Sequence, residues 1–185
     1  NLFMTYIDIH CHLDLCKDID GSVKRAREKG IKIIVANGVN PEINRKILGF
    51  AEKYEEVRAA LGLYPIDALK MSDKEIKKEL DFIEENKDRI VAIGEVGMDF
   101  KESDDKEKQK EIFSELIKLS MKLDKPMIVH SRKAEQECIE ILQELEAKKV
   151  IMHCFSGKIS LVKRIIDNKW SLSIPASVKN SEHFQ

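Results

Sequence analysis

Residues 6–14, YIDIHCHLD, place two histidines one residue apart at the end of a short apolar run. In an extended strand alternate side chains share a face, so Asp8, His10 and His12 point to the same side. Two neutral imidazoles on one face at the end of a strand can bind one cation. The same pattern, a strand that ends in a histidine, recurs along the chain. The fold prediction depends on where these strand ends lie.

The composition is typical of a water-soluble globular protein, with 43% hydrophobic and 35% charged residues. The 32 Lys+Arg against 33 Asp+Glu give a net charge of −1, so no global basic field indicates nucleic acid or a membrane surface. Four cysteines without CxxC spacing favour reduced thiols, which predicts a cytoplasmic location. No apolar stretch approaches the roughly 18 residues that a membrane span requires.

Short runs rich in Val and Ile alternate with amphipathic stretches along the chain, which predicts repeated βα units. The candidate strands are 6–10, 31–36, 57–61, 90–94, 126–130, 150–153 and 170–174. Helices are predicted over 22–29, after Asn40-Pro41, after the capping box Ser72 to Glu75, and near 105–123, 132–146 and 159–168. No linker interrupts the pattern, so we predict a single domain over residues 1–185.

Strands joined by single helices run parallel, and they form either a doubly wound open sheet or a closed (β/α)₈ barrel. An open nucleotide-binding sheet usually carries a glycine-rich turn after an early strand, and neither GxGxxG nor GxxxxGK[ST] occurs here. We therefore predict an α/β fold of the (β/α)₈ TIM barrel type. Such barrels typically need about 250 residues, so the last strand and helix are expected to be missing from this sequence.

Functional side chains of such a barrel lie at the carboxyl ends of its strands. One glutamate and four of the five histidines occupy these positions, namely His10, His12, Glu95, His130 and His153. A single histidine there is more often a hydrogen-bonded structural residue than a ligand. Because the strand ends surround one mouth, we nevertheless predict that the five side chains meet and bind metal, with Zn²⁺, Mn²⁺ or Mg²⁺ as candidates. The fifth histidine, His183, is predicted to be an ordinary surface residue.

The motifs IDIHCHLD, GLYPID, AIGEVGMDF, PMIVHSR and VIMHCFSG follow one another along the chain. Together they resemble the strand-end motifs of TatD-type metal-dependent deoxyribonucleases, a family of amidohydrolase-like barrels. The resemblance implies two divalent metal ions, with His10 and His12 on one of them and Glu95 bridging both. His130 and His153 would complete the ligand set. It also implies hydrolysis of phosphodiester bonds in DNA, often from a 3′ end.

Two features depart from the family pattern. The family commonly has histidine before the proline that follows the third strand, where this chain has Tyr64. A tyrosine can donate a hydrogen bond to phosphate but cannot replace imidazole in proton transfer near neutral pH, so Tyr64 is predicted to be a substrate contact, with a packed aromatic as the alternative. The family also has an aspartate after an eighth strand, in a segment resembling TDAP, and residues 1–185 contain no match to it.

Phosphodiester hydrolysis suits this set of residues. Two cations about 4 Å apart can lower the pKa of a bridging water and orient it towards phosphorus. Glu95 is predicted to be the catalytic carboxylate. Arg132, Ser156 and Lys158 follow two of the strand-end histidines and are predicted to bind the phosphate, with solvated loop residues as the alternative. Without a global basic charge, the expected substrate is a short or single-stranded DNA end, and the resemblance implies that it is cut in the 3′–5′ direction.

Two alternative functions stay open at this point. Another amidohydrolase-type barrel hydrolase, acting on an amide or a lactone or as a deaminase, would use the same fold. Its two-metal members often carry a modified bridging lysine after the fourth strand, where this chain has Glu95. A metal-binding barrel without turnover is the other alternative, because the aspartate of the eighth strand is not matched. A purely structural protein would require the clustered histidines to be a coincidence.

Overall fold

The computed structural model describes residues 6–182, and His183 lies outside that range. Seven strands form one parallel sheet in which the spatial order follows the chain. The strands are β1 (Tyr6–Cys11), β2 (Ile31–Asn37), β3 (Val57–Leu61), β4 (Ile90–Gly97), β5 (Met127–His130), β6 (Val150–Met152) and β7 (Ser171–Leu172). Each of the seven predicted strands is found. The sheet is curled and carries helices on its outer face, so it forms part of a (β/α)₈ barrel.

A helix follows each of the first six strands, and a second one precedes β4. The helices are α1 (Ile19–Glu28), α2 (Pro41–Lys53), α3 (Pro65–Ala68), α4 (Asp73–Glu85), α5 (Lys106–Leu123), α6 (Glu135–Glu144) and α7 (Ile159–Asp167). The capping box of α4 forms as predicted, since Ser72 accepts from the Glu75 N–H while the Glu75 carboxylate accepts from the Ser72 N–H. None of the helices within residues 6–182 has the length and apolar character needed to span a membrane.

Three helices differ from the prediction, and one of them, α6 (Glu135–Glu144), is shorter at both ends than the predicted 132–146. α1 begins three residues earlier than expected, at Ile19, because the Asp18 carboxylate accepts a hydrogen bond from the Gly21 N–H at 2.9 Å and caps the helix. The short α3 was not predicted. Pro65 fills its first turn, and no apolar periodicity can develop over four residues.

The two faces of the sheet bury different side chains. The large core between sheet and helices contains Met127 and Val129 of β5, together with the fully buried Phe113 of α5. On the opposite face of the sheet, Ile128 packs in a small cluster with residues of β2, β3 and β4. His130 lies two residues beyond Ile128 and so points to the same, inner face of the sheet at its carboxyl end. The strand period therefore directs the site residues towards the barrel axis.

Candidate metal centre

The five predicted ligands come together at the carboxyl ends of β1, β4, β5 and β6. The Nε2 atoms of His10 and His12 lie 3.1 Å apart. Glu95 Oε2 lies 3.5 Å from His10 Nε2 and 3.2 Å from His12 Nε2. One carboxylate oxygen and two imidazole nitrogens thus face one another at the centre of the cluster.

The other two histidines complete the group from the next strands. His130 Nδ1 lies 3.1 Å from Glu95 Oε1, the second oxygen of that carboxylate. The ring of His153 stacks on that of His10, with centroids 3.5 Å apart and planes inclined by 15°. Ligand atoms of His10, Glu95 and His153 all lie within 4.8 Å of one another. The convergence predicted from the sequence is therefore present in the structure.

Two glycines allow the backbones around this cluster to approach closely. Gly97, at the end of β4, has a φ of 137°, and a Cβ there would lie 2.0 Å from the His130 carbonyl oxygen. A Cβ on Gly62, after β3, would lie 2.7 Å from the Glu95 carbonyl oxygen. Any side chain at either position would push apart the strand ends that carry Glu95 and His130.

The donor set fits a divalent cation. A carboxylate only accepts hydrogen bonds, and each neutral imidazole has one nitrogen lone pair, so the facing atoms of His10, His12 and Glu95 repel unless hydrogen or a cation lies between them. Tetrahedral ligands about 2.1 Å from zinc lie about 3.4 Å from one another, close to the spacing observed here. The Nδ1 atoms of His10 and His153 are buried and have no hydrogen-bond partner within residues 6–182. Mixed nitrogen and oxygen ligands suit Zn²⁺ or Mn²⁺.

Burial and mutual contact perturb the pKa values of all five groups. Burial by itself would raise the pKa of Glu95, but hydrogen bonds with His12 and His130 lower it below its ordinary value. Burial lowers the pKa of His10 to about 3 and also lowers that of His153. The pKa of His12 is raised by its hydrogen bond with Glu95, and that of His130 is raised by Glu95 and Asp99 against the opposing effect of burial. Below these raised pKa values, metal binding at His12 and His130 displaces protons.

Asp99, just beyond β4, was not predicted as a site residue. Its side chain is fully buried, and Oδ2 lies 2.8 Å from His130 Nε2. Tyr64, a predicted substrate contact, donates its hydroxyl hydrogen to the same oxygen at 2.8 Å, and burial together with Asp99 raises the pKa of that phenol. The sequence contained a signal for this role, because Asp99 lies inside the apolar run VGMDF and is therefore expected to be buried. A buried carboxylate needs hydrogen-bond donors.

The remaining predicted substrate residues lie in loops beyond β5 and β6 and already have partners. The exposed Arg132 forms an ion pair with Glu102 at 3.1 Å. Ser156 donates a hydrogen bond to Glu135 at 2.9 Å. Lys158 is exposed and immediately precedes α7. Their role in binding phosphate stays a prediction.

Sequence comparison relates the chain to known hydrolases. The profile of the family described as TatD related DNase matches residues 7–185. The human protein named Deoxyribonuclease TATDN3 is 34% identical over 190 residues, which cover 95% of this chain and 69% of the human one. A protein of Bacillus subtilis (strain 168), named as an uncharacterized metal-dependent hydrolase, YabD, is 31% identical over 184 residues, which cover 95% of this chain and 71% of that protein.

Structural comparison agrees with this result. The crystal structure of YJJV, a TatD homolog from Escherichia coli K12, superposes with a TM-score of 0.87 at 29% identity. The match covers 96% of this chain and 70% of the bacterial one. The predicted fold class is thereby confirmed.

Proposed function

The chain belongs to the family of TatD-related DNases, which are metal-dependent hydrolases, and from this premise we propose that it hydrolyses phosphodiester bonds of DNA. The observation that carries the proposal is the convergence of four imidazoles and one carboxylate from the ends of four strands. We further propose that the substrate is a single-stranded end and that cleavage proceeds from 3′ to 5′.

The residues that would hold two divalent metal ions are His10, His12, Glu95, His130 and His153. Such ions, when bound, supply an activated water and neutralise negative charge on the phosphate. Glu95 is the proposed catalytic carboxylate, because it is buried, ionised and in contact with three of the imidazoles. Through these contacts it orients the ligands before the substrate arrives.

Phosphate binding is proposed for the loops that follow β5 and β6. Arg132 can form paired N–H contacts with phosphate oxygens once it exchanges Glu102 for the substrate. Ser156 and Lys158 offer a hydroxyl and an ammonium group from the next loop. Tyr64 retains its ring as a proposed surface for a base, while its hydroxyl is engaged by Asp99. A few local donors suit a short single strand better than a long duplex.

We also propose that residues 1–185 act as one hydrolase barrel domain in the cytoplasm. All four cysteines, Cys11, Cys16, Cys138 and Cys154, are free thiols. Unpaired cysteines are the usual state in a reducing compartment.

Product mapping on single-stranded DNA tests the proposal. The protein is incubated with Mn²⁺ and with oligonucleotides labelled at either end, and we expect successive shortening from the 3′ end. His12→Ala should abolish cleavage. Arg132→Ala should raise KM by about 10- to 100-fold, which corresponds to the loss of a charge-assisted hydrogen bond. Arg89→Ala is the matched control, because Arg89 pairs with Glu52 at the amino end of β4, and it should cleave like the unaltered protein.

Other outcomes would point to the alternative functions. Hydrolysis of amides or lactones, or deamination, without cleavage of phosphodiesters would identify another barrel hydrolase. Mn²⁺ binding without turnover of any substrate would leave a metal-binding barrel. Arg132→Ala that cleaves as well as Arg89→Ala would remove the loop after β5 from the proposed phosphate site.

A further inference from the structure

Asp99 lies directly behind one of the proposed ligands and its carboxylate has four hydrogen-bond partners. Oδ2 lies 2.8 Å from His130 Nε2 and accepts from the Tyr64 hydroxyl, also at 2.8 Å. Oδ1 accepts from the backbone N–H groups of Lys101 at 2.9 Å and Glu102 at 3.0 Å. Three donors are already directed at its two oxygens, so the carboxylate has no place for its own proton and acts only as an acceptor.

The position of this carboxylate is fixed from a second side. The Asp99 N–H donates to Gln109 Oε1 at 2.7 Å, and Gln109 Nε2 donates back to the Asp99 carbonyl at 3.2 Å. Gln109 belongs to α5 and is itself buried. The loop after β4 is thus tied to the helix that follows it, and the aspartate cannot turn away from His130.

An acceptor at this place determines which nitrogen of His130 carries hydrogen. Because Asp99 cannot donate, the hydrogen of this contact lies on His130 Nε2, whereas a metal ion that binds Nδ1 has to displace any hydrogen that Nδ1 shares with Glu95. That nitrogen is the one 3.1 Å from Glu95 Oε1. The Tyr64 ring packs edge-on against His130, with centroids 5.0 Å apart and planes at 71°, and restricts rotation of the imidazole.

We propose that Asp99 and Tyr64 form a positioning pair that holds His130 in the Nε2–H tautomer and presents its Nδ1 to the metal centre. The role of Nδ1 as a ligand rests on the proposed function, whereas the tautomer does not. A carboxylate behind a ligating histidine fixes the ring and raises its basicity, and its loss typically lowers metal affinity by about 10- to 100-fold. Tyr64 acts one step further away and should matter less.

Asp99→Asn and Tyr64→Phe separate the two members of the pair. The asparagine amide can donate as well as accept, so it permits the other tautomer. Tyr64→Phe removes one hydroxyl and keeps the ring against His130. Glu79→Gln is the control for Asp99→Asn, because Glu79 is also buried but accepts hydrogen bonds from Asn44 and Arg45 of α2. Tyr54→Phe is the control for Tyr64→Phe, since the Tyr54 hydroxyl also donates to an aspartate, Asp20.

The hydrogen positions are read from long-range ¹H–¹⁵N spectra of histidine-labelled, metal-free protein at about pH 8.5, above the ordinary pKa of imidazole. We expect hydrogen on Nε2 of His130 in the unaltered protein and in Tyr64→Phe, and a mixture of tautomers in Asp99→Asn. Titration with Zn²⁺ alone should show about a 10- to 100-fold loss of affinity for Asp99→Asn and less than about tenfold for Tyr64→Phe. Both controls should retain the affinity of the unaltered protein.

Several results would overturn this assignment. A His130 Nε2 without hydrogen in the unaltered protein refutes it directly, even if Asp99→Asn fails to fold. So does a folded Asp99→Asn variant with unchanged tautomer and unchanged Zn²⁺ affinity, or a loss that Glu79→Gln reproduces in full. If the unaltered protein does not bind Zn²⁺, the proposed function fails, while the spectra of the metal-free protein still decide whether the positioning pair exists.

Discussion

Glu95→Gln should weaken Zn²⁺ binding by about a thousandfold. The side chain is 5% exposed, and its two oxygens contact three of the four imidazoles at 3.1–3.5 Å, so bulk water screens its charge poorly. Two unit charges about 4 Å apart at an effective dielectric constant of about 20 attract by about 4 kcal/mol. That free energy corresponds to about three powers of ten in a binding constant. Glutamine keeps the shape of the side chain and removes this charge.

Competition between the protein and a chromophoric chelator measures the affinity, and elemental analysis gives the number of ions bound. Glu79→Gln again provides the matched control, since it removes a different buried carboxylate, which lies on α4 and away from the metal centre. We expect it to lower the free energy of unfolding and to leave Zn²⁺ affinity unchanged. A folded Glu95→Gln variant that binds Zn²⁺ as tightly as the unaltered protein would refute the assignment of Glu95 to the metal centre. Equal losses in both variants would show that the effect is not local.

The other predictions concern pH and the stability of the fold. Zn²⁺ affinity should fall as the pH is lowered through the raised pKa values of His12 and His130, because the metal must then displace their protons. Titration calorimetry in buffers of different ionisation enthalpy should detect proton release, and a pH-independent affinity would contradict the mechanism. Phe113→Ala should lower the free energy of unfolding by about 3–5 kcal/mol in a denaturant titration, and a loss below about 1 kcal/mol would mean that the core of α5 is packed differently. Ser72→Ala should cost about 1 kcal/mol in the same assay, through loss of the α4 cap.

The strands could be located from the sequence because buried parallel strands are continuous apolar runs bounded by turn residues. β3 has the predicted bounds, whereas β4 extends three residues further than predicted, to Gly97. The pairing of β4 with β5 continues as far as Gly97 and His130. The sequence predicted an earlier end because glycine and glutamate, here Gly94 and Glu95, are uncommon in strands. The start of α1 was missed because Gly21 in its first turn lowers helix propensity, while the cap that compensates for it depends on one carboxylate, that of Asp18.

The ligands could be predicted because one topological rule brings parallel strand ends to the same place. The partners of those ligands could not. Asp99 acts through hydrogen bonds to residues far from it in the chain, and neither composition nor periodicity encodes such contacts. The same limit applies to Arg132 and Ser156, whose carboxylate partners, Glu102 and Glu135, come from other loops and helices.

The stacked rings of His10 and His153 connect two strands that exchange no backbone hydrogen bonds, since β1 pairs with β2 while β6 pairs with β5 and β7. An ion held by both histidines would therefore couple local opening at one end of the sheet to local opening on its far side. Slower amide hydrogen exchange on Zn²⁺ binding in the part of β1 that precedes His10 would report this coupling at residues that are not ligands of the ion.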